Sequence, residues 1–354
     1  MTAAQSRLLT LFKTQFPIIQ APMAGVQDYR LAVAVSNAGG LGSLPAAMLS
    51  LDALRAELTA LSAKTSKPFN VNFFCHIPPA ADAKRESGWR DALKPYYDEL
   101  GLDPNKVAAG SGRAPFTAEA ADVLETFKPA VVSFHFGLPS AELMQRVRAW
   151  GGKIISSATT VEEALWLEAR GVDAVIAQGL EAGGHRGHFL SDDVTQQSGT
   201  FALLPHIVQA VKIPVIAAGG IADSGSVAAA FALGASAVQV GTAYLLCNEA
   251  TTSQIHRSTL KSTDSGHTAL TNLFTGRPAR GIVNRIMREL GPMSDKAPAF
   301  PLATGLIAPL RAQAETMGSG DFSPLWSGQN AKGCHEIGAA ELTLRLMEKM
   351  PVYC

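Results

Sequence analysis

Short apolar runs recur along the chain, each followed by turn-forming residues and then by a helix-like stretch. The runs cover residues 18–23, 41–43, 69–74, 131–135, 153–157, 174–178, 214–218 and 237–240. Each is strand-length, and each is bounded by turn chemistry. Between them, 27–37 reads as a helix stopped by Gly39 and Gly40, and 51–63 carries Leu51, Leu54, Leu58 and Leu61 at helical spacing. A long polar helix is expected over 80–98. Ser140 opens another as N-cap, Thr160 with Glu163 forms a capping-box pattern, and Gly171 ends the helix that follows. Asp223 caps a further helix that Gly234 ends. Eight runs joined by helix-length crossovers imply parallel pairing. The expected fold is therefore α/β, a (β/α)8 TIM barrel. An open doubly wound sheet is the alternative, but Ala21-Pro22-Met23 follows the first run where such folds place GxGxxG. Residues 262–335 fit no βα unit. They are expected to form an inserted cap over the barrel mouth, leaving 1–261 and 336–354 as the barrel, with a last helix near 337–349 closing its outer ring.

In such barrels the chemistry sits at the strand C-terminal ends. The segment after the sixth run, 177–189, holds Gly179, Gly183, Gly184 and Gly187, and between the first and last of these glycines lies one imidazole, His185. Glycine admits positive φ and lets backbone approach a ligand. The arrangement suits an acid–base group held beside a flat, bulky ligand; a glycine-rich surface turn with a solvated histidine is the ordinary alternative. Gly219-Gly220 and Gly241-Thr242 follow the seventh and eighth runs, where barrel loops bind phosphate through backbone N–H groups. Asn72 and Gln178 end apolar strands, where an unpaired amide costs roughly 1–3 kcal/mol. They would serve a ring edge of alternating N–H and C=O, such as a flavin, or else bond barrel backbone. Asn70 shares the face of Asn72, and alternation does not separate the two. His135 ends the fourth run and is placed to line the site. His188 is expected outside it, and His76, His206, His256, His267 and His335 are taken as structural or solvated.

The bulk numbers narrow the class. The chain has 354 residues, is 47% hydrophobic and has a formal net charge of +0. No global field or basic run recruits nucleic acid or anionic lipid. Four scattered cysteines (Cys75, Cys247, Cys334 and Cys354) argue against a disulfide framework or a structural zinc site, and no metal is expected. The apolar 8–12 stretch is too short for a signal-peptide core, and no run is long enough to span a bilayer. A cytoplasmic monomer or homodimer without a membrane partner is expected. Nothing matches GxSxG, HExxH or a Walker lysine motif.

Taken together, Gln20-Ala21-Pro22-Met23-Ala24-Gly25, Asn70-Val71-Asn72-Phe73, Ser133-Phe134-His135-Phe136-Gly137, the 178–187 segment, Ala218-Gly219-Gly220-Ile221 and Gln239-Val240-Gly241-Thr242 resemble the nitronate monooxygenases, formerly called 2-nitropropane dioxygenases. Residues 276–284 resemble their class I branch, and the likeness runs over about 16–345. The resemblance implies bound FMN and oxidation of alkyl nitronates, such as propionate 3-nitronate, by O2 to a carbonyl compound and nitrite. It implies His185 as catalytic base toward neutral nitroalkanes, or as the group that orients or charge-stabilises a nitronate. It places Ala21, Pro22, Met23, Asn72, Gln178, Gly183, Gly184, Gly219, Gly220, Gln239, Val240, Gly241 and Thr242 around the cofactor, and His135 and Phe300 by the substrate. Class I relatives usually carry tyrosine at the Phe300 position. The glycine-histidine loop is shared with FMN-dependent enoyl and NADH:quinone reductases, so an NAD(P)H-dependent flavin reductase on the same barrel is the alternative activity, and a flavin-binding module without turnover the alternative outside enzymes.

Overall fold

The computed structural model describes residues 3–106 and 113–349. Eight strands form one parallel sheet: β1 (Ile18–Gln20), β2 (Gly42–Pro45), β3 (Phe69–Phe74), β4 (Val131–His135), β5 (Lys153–Ala158), β6 (Ala174–Gln178), β8 (Val215–Ala218) and β9 (Ala237–Val240). Their order is β1-β9-β8-β6-β5-β4-β3-β2. The two edges meet where Ile19 pairs with Leu41, which closes the sheet into the expected barrel. The strands are buried on both faces, so they read as continuous apolar runs instead of alternating ones. Ring closure explains the burial: one face fills the barrel, the other packs under helices.

Helices form where caps were legible. Asp28, Ser50, Ser140 and Asp223 each accept a backbone N–H at the first turn, the last in a full capping box with Ser226. The Thr160–Glu163 pair departs from expectation. Thr160 accepts from Glu163 N, but the Glu163 carboxylate turns away from its own N-cap. Its Oε2 takes the N–H and hydroxyl of Thr159 (2.6 and 2.8 Å), and its Oε1 takes the N–H groups of Phe189 and Leu190 (2.6 and 3.2 Å). One buried carboxylate thus ties the segment following His185 to the barrel. Helices Ala118–Phe127 and Thr200–Ala210 were not anticipated; the second opens without a side-chain cap and contains Pro205. The last helix is shorter than expected, Ala339–Arg345, and it buries Leu342 beside Leu346.

The 8–12 stretch belongs to a helix, Ala3–Phe12. Its Leu8 and Phe12 are buried with Val131, Ile155, Ala174 and Ala237 in one cluster. Three of those partners open their strands, so the helix plugs the N-terminal end of the barrel. The opposite end carries a second core. Trp89, Leu93 and Tyr97, from the helix Ala83–Glu99, pack with Leu273, Phe274, Ile286, Leu306, Leu310 and Phe322. The 262–335 segment also supplies β10 (Thr268–Thr271) and β11 (Ala279–Ile282), which pair antiparallel; β11 then pairs with β7 (Gly184–His185). Among the described residues no helix is long and apolar enough to cross a membrane.

Removing the Glu163 carboxylate would leave four donors without their acceptor. Glu163→Ala is expected to lower the unfolding free energy by about 2–4 kcal/mol, read from urea denaturation. A loss below about 0.5 kcal/mol would show that water replaces these bonds.

Candidate active site

His185 is fixed through its main chain. Its carbonyl oxygen accepts from Gln178 Nε2 at 3.0 Å and from His135 Nε2 at 3.2 Å. Since a carbonyl only accepts, His135 carries its proton on Nε2, and its Nδ1 takes the hydroxyl of Ser157 at 3.0 Å. Gln178 Oε1 accepts from Gly187 N at 2.7 Å. The amide predicted to bond a ring edge is therefore engaged by the histidine loop, for which Gly187 is required: a Cβ there would lie 2.8 Å from His135 Cε1 and 2.9 Å from Ser157 Cβ. From the other side β11 pairs Ala279 with His185 and Arg280 with Gly184. Arg277 donates to His188 O, and Arg280 Nε to Leu180 O at 2.8 Å. The side chain of His185 meets Thr275 Oγ1 through Nε2 at 2.9 Å. A hydroxyl that turns its hydrogen toward Arg277 O, 3.4 Å away, accepts from Nε2–H and leaves the lone pair on Nδ1.

A cavity opens at the strand C-terminal ends. Ala21, Pro22, Met23, Asn72, His135, Gln178, Gly183, Gly184, His185, Gly219, Gly220, Gln239, Gly241 and Thr242 all line it. Two sequence-predicted residues do not. Val240 is fully buried in its strand, where its carbonyl accepts from Ala21 N at 2.8 Å. Phe300 stands behind the wall, 5.3 Å edge-on from the His185 ring and 4.8 Å from His76. The structure separates the two asparagines. Asn72 lines the cavity, with its Nδ2 given to Ser133 O and Oγ (3.2 and 2.9 Å). Asn70 lies below it, bonded to Ser43 and Ser133 hydroxyls. Gln239 presents a buried Oε1 that no group in the described protein meets. Beyond it, Gly241 caps the 3-10 helix Thr242–Leu246 without a side-chain acceptor, which leaves first-turn N–H groups for an anion.

Sequence reasoning missed Arg113, Glu181, His256, Trp326, Gly328 and Asn330, all of which line the cavity. Glu181 is the latch of the glycine segment: its carboxylate takes the N–H and hydroxyl of Thr200 (2.8 and 2.9 Å to Oε2). Gly328 N donates to Thr242 Oγ1 at 2.9 Å and Asn330 Nδ2 to Gly220 O at 2.9 Å, so the 326–330 segment roofs the glycine loops. None of these positions sits in a periodic run, though LEAGGHRG did display Glu181.

The electrostatics differ from the sequence expectation for His185. Burial drives its pKa well below the ordinary 6.5, and the guanidinium of Arg113, then His135 and Arg277, push the same way. Burial likewise lowers His135 to about 3, His188 to about 3 and His256 to about 4. At neutral pH the His185 imidazole is uncharged. It can accept a proton or orient a substrate, but it does not supply positive charge.

Fold and cavity define a barrel enzyme whose working groups, one neutral imidazole among them, gather at the strand C-terminal ends. The chain belongs to the nitronate monooxygenase family, whose model matches residues 5–349. It is accordingly a member of an oxidoreductase family. It is 42% identical over 353 residues to a nitronate monooxygenase of Pseudomonas aeruginosa, covering 99% of each chain. It is also 42% identical to one of Paraburkholderia phytofirmans, covering 97% of this chain and 94% of that one. Among solved structures, nitroalkane oxidase of Streptomyces ansochromogenes superposes with a TM-score of 0.87 at 40% identity, over 96% of both chains. FabK of Thermotoga maritima gives 0.73 at 29% identity, over 96% and 94%.

The buried histidines set an acid limit on stability. Each has a folded pKa below its unfolded value, so its contribution is whole above about pH 6.5 and is lost as pH falls toward 4 and 3. Urea unfolding at pH 7, 6 and 5 is expected to show stability falling by up to ~1.4 kcal/mol per pH unit for each such histidine. His135→Asn should make that slope shallower; an unchanged slope would count against its burial as a neutral ring.

Proposed function

We propose that the chain binds FMN in this cavity and oxidises alkyl nitronates with O2 to a carbonyl compound and nitrite, a nitronate-detoxifying activity in the cytoplasm. The observation that carries the reading is His185: a neutral imidazole held by its main chain at the edge of a glycine-walled cavity. The residues present fit a flavin mononucleotide. The unmet Gln239 Oε1 offers an acceptor to a ring N–H. Gly219, Gly220 and Gly184 line the cavity at φ +117, +73 and +72, a backbone that favours glycine, and a Cβ on Gly219 would lie 2.8 Å from Thr200 Oγ1. Gly219, Gly220, Gly241 and Thr242 would hold the phosphate. Asn72, Gln239 and the main chain at 21–23 would hold the ring.

The bound flavin would supply the redox and oxygen chemistry. What the protein adds is position and proton handling. With Nε2–H given to Thr275, His185 Nδ1 is the basic atom, and a low pKa keeps it unprotonated and ready to accept the α-proton of a neutral nitroalkane. Toward a nitronate, already deprotonated, the same ring orients by contact. The rings of Phe74, Phe136 and Phe300 pack around that imidazole at 6.1, 6.0 and 5.3 Å.

The likeness to FabK keeps a nicotinamide-dependent reductase as the competing reading. Anaerobic mixing separates the two. Propionate 3-nitronate is expected to bleach the visible flavin band rapidly and NADPH is not; the reverse result would make the chain a reductase. His185→Asn is expected to retain flavin and to slow neutral nitroethane by roughly 10²–10⁴-fold, with a smaller effect on ethyl nitronate. Equal losses on both substrates would refute His185 as the base.

A further inference from the structure

Arg113 lines the same cavity as His185, and it is the one arginine among the described lining residues. Its hydrogen bond runs to a neutral group, from Nη1 to Thr304 Oγ1 at 3.0 Å. Among the described residues no carboxylate stands within ion-pairing distance of it, and residues 107–112 carry no acidic side chain by sequence. The charged neighbour that acts on it is a second cation, Arg311, and burial itself already disfavours the charged form. Other arginines of the fold are spent: Arg186 on Gln197 Oε1, Gly179 O and Gln178 O, and Arg285 on Glu99. A partly buried guanidinium without a counter-charge is costly unless an anion completes it. The Phe300 ring, behind the cavity wall, lies 5.9 Å from the guanidinium carbon and offers it no hydroxyl acceptor. Arg113 and the His185 ring lie against the same phenylalanine, Phe300, at 5.9 and 5.3 Å, and Arg113 exerts the largest charge effect on that imidazole.

We propose that Arg113 holds the anionic group of the substrate, its planar fork pairing with a flat two-oxygen anion. That group is the nitronate itself, or a carboxylate on a substrate that carries both. The inference rests on the nitronate reading and sharpens it. His185 handles the proton and is neutral, so positive charge must come from elsewhere, and Arg113 is the lining residue that has it to give. The site therefore favours nitronates over the neutral nitroalkanes from which they derive.

The test uses flavin-loaded enzyme, wild type, Arg113→Met and Arg113→Lys, with circular dichroism to confirm folding. For Arg113→Met, the ratio of kcat/KM for ethyl nitronate to that for neutral nitroethane is expected to fall ~10-fold or more, carried by KM. Arg113→Lys, which keeps the charge and loses the fork, should recover part of it. If the ratio holds for ethyl nitronate but falls for propionate 3-nitronate, the carboxylate is the group held. Ratios within about twofold of wild type for both nitronates would overturn the proposal. Titration calorimetry with nitrite, itself a flat two-oxygen anion, reads the same site without turnover. Weaker binding to Arg113→Met would uphold the anion site even in a chain that failed to oxidise nitronates; equal binding would overturn it.

Discussion

The site depends on one carbonyl oxygen. The His185 carbonyl receives two side-chain donors from two different barrel strands, Gln178 from β6 and His135 from β4. Gln178 closes the loop back on itself through Gly187, and His135 is braced by Ser157 of β5. Both donors are buried or nearly so, where such bonds are least exposed to competition from water. The imidazole is thereby positioned without its own ring nitrogens being used by the barrel; among the described residues only Thr275, from the 262–335 segment, hydrogen-bonds to them.

That economy decides how charge is distributed. Burial keeps the imidazoles of His135, His185, His188 and His256 uncharged at neutral pH. The price is a cavity that must find its positive charge in guanidinium groups. Three of these, Arg277, Arg280 and Arg186, are engaged by backbone carbonyls of the histidine loop. They act as struts whose charge is spread over peptide dipoles, and Arg113 is left facing the open space.

Much of this was legible in the chain. A closed parallel barrel buries both faces of each strand, so eight apolar runs were visible without periodicity, and the glycines around His185 marked where backbone had to come close. Gln178, Asn72 and Gln239 could be recognised as amides out of place, but not what they bonded. The side chain of Gln178 turned inward to the loop, while Gln239 kept a free acceptor. Val240 was carried along with its neighbours, although strand alternation turns it away. Arg113, Trp326 and Asn330 were invisible because they reach the cavity from irregular segments, whose path depends on tertiary packing. The Thr160–Glu163 pattern was read as a local cap, while the folded carboxylate serves residues 26 positions further on.

The two-residue strand β7 has a mechanical consequence. His185 is hydrogen-bonded on one side to the barrel and on the other to the antiparallel ribbon of the inserted segment, so it acts as a rivet between two bodies. A rigid swing of that ribbon away from the barrel would have to shear the Ala279–His185 pairing or pull the imidazole from its seat. Traffic into the cavity is thus expected to proceed by side-chain rearrangement at the rim, with the ribbon and the barrel moving as one piece.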